Sequence, residues 1–330
     1  MSLWVVDDYT VRQAQEAVQT LLTRLRPSIA VLGNLRHPSG AAALIDAGQG
    51  LFLAHADSVQ GDTIQARVGD GAIVLRVLTR DSRTNLVLLG PKAMNGPLAG
   101  PSISLVEADP APGTKVIVLL ADDAVAGSYV GGERFSIVGA NKQVIPVTEL
   151  RFETPPRFVS GALVFTYDGK LLGSVGATVA RPGRTSDSLR EAVGLSKSFP
   201  SPMIGLAPKS LAGPADLTVA YSPSLVLMRR VVEGFVSSDH RAEYSVLGIQ
   251  VADAPDGGAK VTRVFSDTPA GKAGVREGDV LLAIGDYPIA RRVDFVRTLL
   301  ELRPGEKTAL RLRRKSAEIR IDVVLARSKG

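Results

Sequence analysis

Apolar residues recur every three or four positions near the N-terminus, a spacing that predicts an amphipathic helix over residues 11–25. Pro27 ends the pattern, because proline lacks the N–H that would continue a helix. The apolar face comprises Val11, Ala14, Val18, Leu21, Leu22 and Leu25. Residues 1–26 are therefore assigned to an N-terminal helix.

From residue 28 to about 176 the pattern changes to short runs rich in Val, Ile and Leu, separated by Gly, Pro, Asn and Asp. Runs of this kind predict many short strands, which is typical of a β-barrel or a β-sandwich. A stretch rich in Pro and Ala at 96–113 is interpreted as a crossover between two β-halves. The predicted strands cover 28–32, 50–54, 72–78, 85–89, 115–120, 144–152 and 161–166.

Two further units follow the β-rich region. Ser222-Pro223-Ser224 has the pattern of a helix start, with a hydroxyl cap and then proline at the first helical position, so residues 213–239 are assigned to a linker helix. The remainder, 240–327, is a small α+β module of ordinary domain size. Its predicted strands are 247–251, 260–265, 280–284, 308–312 and 319–325, with helices near Ala270 and at 292–302.

The composition is that of a folded chain without disulfides. Of 330 residues, 45% are hydrophobic and 22% charged, which excludes disorder for the bulk of the chain. The absence of cysteine excludes a thiol nucleophile, and the three histidines are scattered, so neither a metal site nor a cofactor is expected. No apolar run predicts a membrane-spanning helix, and the N-terminus lacks the pattern of a signal peptide.

The net charge of +6 is concentrated toward the C-terminus. A basic cluster of this kind suits phosphate groups, but no aromatic residues interleave with it for base stacking. We interpret the cluster as a solvated hairpin and do not expect nucleic acid or a membrane surface as partner. Surface binding that falls steeply with salt is the alternative. The cluster consists of Arg311, Arg313, Arg314 and Lys315.

Three segments of the C-terminal module match the PDZ pattern in order and spacing. They read LGI at 247–249, TPAGKAG at 268–274 and EGDVLL at 277–282. Upstream, GLFLA at 50–54, RDSRTNLVLL at 80–89, GALV at 161–164 and IGLAP at 204–208 look like landmarks of trypsin-like proteases. The chain thus resembles the HtrA/Deg family over nearly its whole length. This resemblance implies a mainly β fold, with a trypsin-like double six-stranded β-barrel at 27–212 and a PDZ domain at 240–327.

Two of the three catalytic positions that the resemblance implies hold the wrong residue. A trypsin-like protease needs a histidine base, a carboxylate that orients it, and a serine beside an oxyanion hole. Extending the alignment from Gly50 places Asp57 at the base position, and the 80–89 run places Asn85 at the position of the carboxylate. Neither residue supplies the required group.

The nucleophile falls on Val159 or, with a slip of one residue, on Ser160, which is followed by Gly161. The preceding loop, 155–159, is shorter than the family's glycine-containing loop and contains two prolines. Proline lacks an N–H and bulky residues resist the tight path that aims two amides at an oxyanion. The oxyanion hole is therefore not expected to form.

His55 is the candidate for a replacement base that would serve Ser160. Two residues along a strand displace a side chain by about 6–7 Å, whereas a base must lie within about 3 Å of the proton that it takes. We therefore interpret His55 as a half-exposed strand residue, Asp57 as a helix cap and Ser160 as a turn serine.

The PDZ-like module has the elements of a peptide groove. In this fold a peptide adds as a strand to a sheet edge, and backbone amides of the preceding loop bind its terminal carboxylate. The loop contains Val246, Leu247, Gly248 and Ile249, and the opposite wall is assigned to Val296 and Leu300. The groove is apolar, so hydrophobic C-termini are the expected ligands. Filling of the groove by the linker or by a neighbouring subunit is the alternative.

These observations predict an HtrA-like pseudoprotease that binds peptide or protein C-termini and acts as a regulator or chaperone. The alternative is a divergent serine endopeptidase that uses Ser160. The resemblance further implies a homo-oligomer, commonly a trimer, and a periplasmic or otherwise exported location.

Overall fold

The computed structural model describes residues 8–34, 37–93, 100–121, 123–131, 134–138, 143–152, 161–180 and 218–329. Ser160, the loop at 155–159 and the segment at 204–208 lie outside these residues. Strands predominate, as the sequence predicts. In the described part, no helix combines the length and the apolarity needed to cross a membrane.

The predicted N-terminal helix is confirmed as α1, Asp8–Leu25. Its C-terminal half packs on the β-rich body, because Leu21 and Leu25 are buried in the same core as residues of both β-halves. Polar contacts support this position: Arg24 donates to the Tyr167 carbonyl at 3.3 Å, and Arg26 pairs with Asp70 at 2.7 Å.

The first β-half is a closed antiparallel barrel of six strands in the order β1-β2-β3-β6-β5-β4. Alternate residues of its strands fill the interior, which is lined by alanine, leucine and Phe52. The strands are β1 Ile29–Asn34, β2 His37–Asp46, β3 Leu51–His55, β4 Thr63–Val68, β5 Gly71–Asp81 and β6 Leu86–Pro91.

The second β-half forms one sheet in the order β12-β11-β7-β8-β10-β14-β13, and β9 pairs with β10. Eight strands of this sheet lie in the described residues, where the sequence predicts six. They are β7 Lys115–Leu120, β8 Asp123–Tyr129, β9 Arg134–Val138, β10 Gln143–Phe152, β11 Leu163–Thr166, β12 Leu171–Ser174, β13 Ala177–Ala180 and β14 Thr218–Pro223.

The linker helix α2, Leu225–Val236, starts later than the sequence predicts. Ser222 and Pro223 end β14, because both pair with β10 and proline is tolerated at the end of a strand. Ser224 is the N-cap instead. The helix buries one apolar face, formed by Leu225, Leu227, Met228, Val231 and Phe235.

The C-terminal module contains a sheet in the order β16-β17-β18-β20-β21, with β19 paired to β18, and a separate β15-β22 pair. Its predicted strands and helices are present within a few residues of their predicted bounds. The elements are β15 Glu243–Val246, β16 Ile249–Asp253, β17 Ala259–Val264, α3 Pro269–Lys272, β18 Val280–Ile284, β19 Tyr287–Pro288, α4 Arg292–Glu301, β20 Lys307–Arg314, β21 Ala317–Val324 and β22 Ala326–Lys329.

Part of the basic cluster has a structural role. Arg314 makes two hydrogen bonds of 2.8 Å to the carboxylate of the buried Asp279 and a third to the Gly274 carbonyl. Arg313 lies opposite Glu318 in the β20–β21 register. Both arrangements place negative charge beside the basic hairpin.

The β-rich body and the C-terminal module share one hydrophobic core. This core contains residues of both β-halves and α2, together with Tyr244 of β15 and Leu300 of α4. Arg230 of α2 donates to the carbonyls of Leu300 and Leu302 at 2.7 and 3.1 Å, so a cation lies at the C-terminus of α4, where the helix dipole favours it. The module is therefore packed against the body.

A buried hydrogen bond adds to this packing. The Tyr244 hydroxyl donates to Oδ1 of Asp81 at 2.8 Å, and each side chain is only 1% exposed. Removing one partner of a buried hydrogen bond to a charged group leaves that group less well solvated.

We predict that Tyr244→Phe lowers the free energy of unfolding by about 1–3 kcal/mol, because Asp81 then loses one donor in a buried site. Chemical denaturation followed by fluorescence measures the change. Tyr287→Phe is the matched control, since Tyr287 is 43% exposed and should tolerate the loss of its hydroxyl. Equal unfolding energies for Tyr244→Phe and the unsubstituted protein would contradict the prediction.

Candidate functional site

His55 is the last residue of β3 and is fully buried, so its interpretation as a half-exposed residue is wrong. β3 lies between β2 and β6 in the barrel, and all five of its residues are buried. Burial lowers the pKa of His55 from 6.5 to about 4, although the nearby Asp57 carboxylate opposes this shift. The imidazole is therefore neutral at pH 7.

A hydrogen bond from the backbone of Asp57 indicates which ring nitrogen of His55 carries the proton. The Asp57 amide donates to Nδ1 of His55 at 3.3 Å, so His55 caps the 3₁₀ turn Ala56–Ser58, and Asp57, predicted as a cap, lies within that turn. Because Nδ1 accepts, the single proton of the neutral ring lies on Nε2. A trypsin-like base has the opposite arrangement, with a protonated Nδ1 and an Nε2 that accepts the serine proton.

Asn85 lies beside this turn, between β5 and β6. Its carbonyl accepts the Ala56 amide at 2.8 Å, and its own amide donates to the Asp81 carbonyl at 2.9 Å. The backbone of Asn85 is left-handed, with φ of 56°, a conformation that asparagine adopts more readily than most residues. The structure thus brings Asn85, His55 and Asp57 together, but Asn85 adds no negative charge there.

The second β-half reaches the same cleft at Gly161, the residue after Ser160. The Ser58 hydroxyl lies 3.5 Å from the Gly161 carbonyl. A Cβ on Gly161 would lie 2.5 Å from Ser58 Oγ and 3.7 Å from the Cβ of His55, and φ there is +84°. Only glycine fits this approach, so the backbone of Gly161 lies close to Ser58 and His55.

Sequence reasoning missed the carboxylate that orders the cleft loop. Oδ2 of the buried Asp81 accepts the Thr84 amide at 2.9 Å and the Thr84 hydroxyl at 2.6 Å, while Oδ1 accepts the Tyr244 hydroxyl. Burial raises the pKa of Tyr244 well above 10, so it stays a donor. Arg83 stacks on the Tyr244 ring, with its guanidinium carbon 3.9 Å from the ring centroid. The spacing of Asp81 and Thr84 signals a local turn, whereas the tyrosine partner is distant in sequence.

The second candidate site is the loop before β16. The carbonyls of Leu247 and Gly248 accept the amides of Ala270 and Phe265, at 2.9 and 3.0 Å. In a trans peptide the C=O and the next N–H point in opposite directions, so the amides of Gly248 and Ile249 point away from these partners. Gly248 has φ of +83° and makes the turn. The loop therefore presents two amides on its outer side.

A groove lies between the edge strand β16 and α4. Ile249 and Val251 of β16 and Val296 and Leu299 of α4 are half-buried and pack against the core of the module. β16 has one pairing partner in the described residues, β17, so its other edge is open.

The remaining residues assigned to the groove are placed differently. Leu300, which the sequence analysis assigned to the groove wall, is 5% exposed and belongs to the core shared with the barrel. Leu299 lies on the groove wall in its place. Leu247 is fully buried in the core of the module. Val246 is half-buried and pairs with Ala326 in the β15–β22 ladder.

Comparisons with known proteins agree with this architecture. Residues 245–325 match the PDZ domain family. The chain is 27% identical over 144 residues to a probable periplasmic serine endoprotease, DegP-like, of Brucella suis biovar 1 (strain 1330), and 26% identical over 135 residues to one of Ectopseudomonas mendocina (strain ymp). These matches cover 44% and 41% of the chain and 28% of each relative. The aligned part thus spans little more than a quarter of the relatives' length.

Solved structures share the fold over nearly the whole chain. The serine endoprotease from Yersinia pestis superposes with a TM-score of 0.57 at 17% identity, covering 94% of this chain and 97% of the other. The HtrA-type protease AlgW with tripeptide superposes with a TM-score of 0.64 at 18% identity, with the same coverage. These solved structures confirm the fold that the resemblance implies, a trypsin-like β-rich body followed by a PDZ domain, and the DegP-like relatives agree with it.

The buried, neutral His55 predicts a specific pH dependence of stability. In the unfolded chain this side chain takes up a proton near pH 6.5, but in the folded protein only near pH 4. Its contribution is complete above pH 6.5 and is lost as the pH falls toward 4, because the unfolded state binds more protons in that range. Between pH 7.5 and pH 4.5 the loss is about 2–3 kcal/mol.

Urea denaturation of the unsubstituted protein and of His55→Gln, at several pH values, measures this loss. Glutamine does not titrate, and the carboxylates titrate in both proteins, so the difference between the two curves isolates the histidine. Parallel stability curves for the two proteins from pH 7.5 to 4.5 would show that His55 is not buried in the neutral form.

Proposed function

We propose that this protein is an HtrA-like pseudoprotease, in which a proteolytically inactive double barrel carries a PDZ module that binds peptide or protein C-termini. The observation that carries the proposal is the Asp57 amide on Nδ1 of His55. When Nδ1 accepts this hydrogen bond, the proton of the neutral ring is on Nε2, and a protonated Nε2 cannot take a serine proton.

The residues at the aligned catalytic positions support the same proposal. Asp57 is acidic where the family's base belongs, and a carboxylate is a much weaker base toward a serine hydroxyl than an imidazole. Asn85 stands at the position of the orienting carboxylate, and an amide cannot stabilise an imidazolium as a charge does.

The PDZ module supports the recognition role. Two outward amides at Gly248 and Ile249 suit a terminal carboxylate, and the open edge of β16 suits a peptide added as a strand. The apolar groove suits a hydrophobic last residue. One fold neighbour is the HtrA-type protease AlgW in complex with a tripeptide and another is AlgW with a decapeptide, so this architecture accepts peptides in that protein.

The names of the relatives support a proposal for the cellular location. The named DegP-like proteins are described as periplasmic, so we propose a periplasmic or exported location for this chain. We further propose a homo-oligomer, a trimer by resemblance, with a regulatory or chaperone-like role.

Proteolysis of casein and of fluorogenic peptides tests the first half of the proposal. We expect no turnover above that of the Ser160→Ala variant, because none of the described residues at the aligned catalytic positions or beside them is in the state that accepts the serine proton. Turnover that Ser160→Ala abolishes would overturn the proposal and support the divergent endopeptidase.

Fluorescence anisotropy with a labelled peptide that ends in valine tests the second half. We expect the free carboxylate to bind and its C-terminal amide to bind at least about tenfold more weakly, because charge-assisted hydrogen bonds to backbone amides are lost.

Gly248→Ala should abolish binding as well, since its Cβ would lie 2.0 Å from the Cβ of Thr268. Gly257→Ala is the matched control: Gly257 has nearly the same φ, +81°, and its Cβ would meet no atom within 4 Å. Equal binding of the acid and the amide would contradict the proposed recognition of C-termini.

A further inference from the structure

A pocket lies where α1 meets the β-rich body. The C-terminal half of α1, strand β1, the end of β4 and the end of β7 all contribute to its lining, so both β-halves take part. Its volume is about 310 Å³. We call it the α1 pocket. None of the described residues that line it belongs to the cleft or to the peptide groove.

Much of the lining of the α1 pocket is apolar and continuous with the core. Leu25, Ile29 and Leu119 are buried members of the core that α1 shares with both β-halves, and Leu22 packs against that core. Val31 is half-buried and faces outward from the barrel, because the residues on either side of it fill the barrel interior. An apolar ligand would therefore remove apolar surface from water here, which is favourable.

Two arginines are the charged residues of the described lining, and they differ in their partners. Arg26 is paired with Asp70 at 2.7 Å. Arg67 is half-buried and lies opposite Val31 in the β1–β4 register. Within the part of the chain that the structure describes, the Arg67 guanidinium makes no hydrogen bond or ion pair. A positive charge without a described counter-charge thus borders the apolar lining.

The turn between β4 and β5 leaves one side of the α1 pocket open. Gly69 lies in this turn with φ of +58°, and a Cβ there would meet no atom within 4 Å. Asp70 of the same turn is held to α1 only through its exposed ion pair with Arg26, and ion pairs of this kind contribute little. A ligand can enter past Gly69 without displacing a packed side chain of the described residues.

These features restrict the chemistry of a ligand. Small-molecule sites are lined mainly by apolar side chains, with a few polar groups that fix the orientation of the ligand. The volume of the α1 pocket is at the lower end of the range of roughly 300–1,000 Å³ for such sites, so the ligand is small. Arginine binds a carboxylate through two parallel hydrogen bonds, and partial burial reduces the screening of its charge.

We propose that the α1 pocket binds a small anionic amphiphile, an alkyl carboxylate whose chain lies on the apolar lining and whose carboxylate binds Arg67. The site is separate from the proposed binding of peptide C-termini and does not depend on it. Because α1 and both β-halves line the pocket, the ligand contacts all three and stabilises the position of α1 on the body.

Isothermal titration calorimetry of the full chain with octanoate, octan-1-ol and octylammonium tests the proposal. The three probes share one alkyl chain and differ in the charge of the head, and each is used below the concentration at which it forms micelles. At low ionic strength we expect octanoate to bind saturably, about tenfold more tightly than octylammonium, with octanol between them. Acetate should not bind, because it lacks the chain.

Charge substitutions assign the preference to one residue. Arg67→Gln should reduce the preference for octanoate over octylammonium to less than about twofold, and Arg67→Glu should reverse it, because the sign of the charge is reversed. Arg76→Glu is the matched control. It makes the same change of charge at an exposed position of β5, in the same barrel, and should retain the preference.

A second pair of variants tests the pocket itself. Val31→Trp should abolish octanoate binding, because the indole would occupy the apolar lining. Val74→Trp is its control, since Val74 is a 42% exposed valine of the same barrel that does not line the pocket. Thermal melting checks that each variant is folded. In the unsubstituted protein, octanoate should slow hydrogen exchange of the amides at 19–26.

The outcomes separate this site from the peptide groove, which also suits an apolar chain with a carboxylate. Octanoate should bind Gly248→Ala as it binds the unsubstituted protein. Binding that Gly248→Ala abolishes would place octanoate in the peptide groove and overturn the α1 pocket, while the recognition of C-termini would stand. A preference for octanoate that survives in Arg67→Gln would overturn the role of Arg67. The absence of saturable octanoate binding would overturn the proposal as a whole.

Discussion

The Asp81 carboxylate accepts hydrogen bonds from two parts of the molecule at once. Thr84, in its own loop, donates two of them and so shapes the turn that carries Asn85. Tyr244 donates the third from the first strand of the C-terminal module. Asp81 is nearly inaccessible to water, so these donors replace the hydrogen bonds that water would give to its side chain. The Asp81 carboxylate therefore connects the cleft loop directly to the first strand of the PDZ module.

The packing around this carboxylate joins the N-terminal helix, the β-rich body, the linker helix and the C-terminal module, which follow one another along the chain. α1, both β-halves, α2 and three residues of the module (Ala242, Tyr244 and Leu300) contribute to a single core. α2 contacts both the body and the module. Arg229 donates to the Val106 carbonyl of the body, and Arg230 donates to carbonyls at the C-terminal end of α4. The wall of the peptide groove is consequently held by the linker at one end and by Asp253 at the other.

Periodicity and turn residues were sufficient for most of the fold. The amphipathic pattern located α1 and α4, and the runs of β-branched residues located strands such as β7 and β18 at their observed bounds. The start of α2 was misplaced because Ser222-Pro223 has the composition of a helix start, and only pairing with β10 shows that it ends a strand. Local sequence carries no information about such tertiary pairing.

In the candidate sites, too, local motifs were predicted from the sequence, whereas features that depend on tertiary packing were not. Motif spacing brought Asp57, Asn85 and the 246–249 loop to attention, and the structure places the first two beside each other. The burial of His55 depends on the barrel closing around β3, and the core position of Leu300 depends on how the module docks. Tyr244 lies 163 residues from Asp81, so no local pattern signals their contact.

Among the described residues of the cleft, no group is in the state that would activate a serine hydroxyl, and the proposed lack of proteolysis depends on this. Intact-mass spectrometry after incubation with a fluorophosphonate, which forms a covalent bond only with an activated serine, measures this directly. The account predicts unmodified protein at neutral pH under conditions in which an active serine protease is fully labelled. A stoichiometric adduct on Ser160, absent from Ser160→Ala, would contradict it.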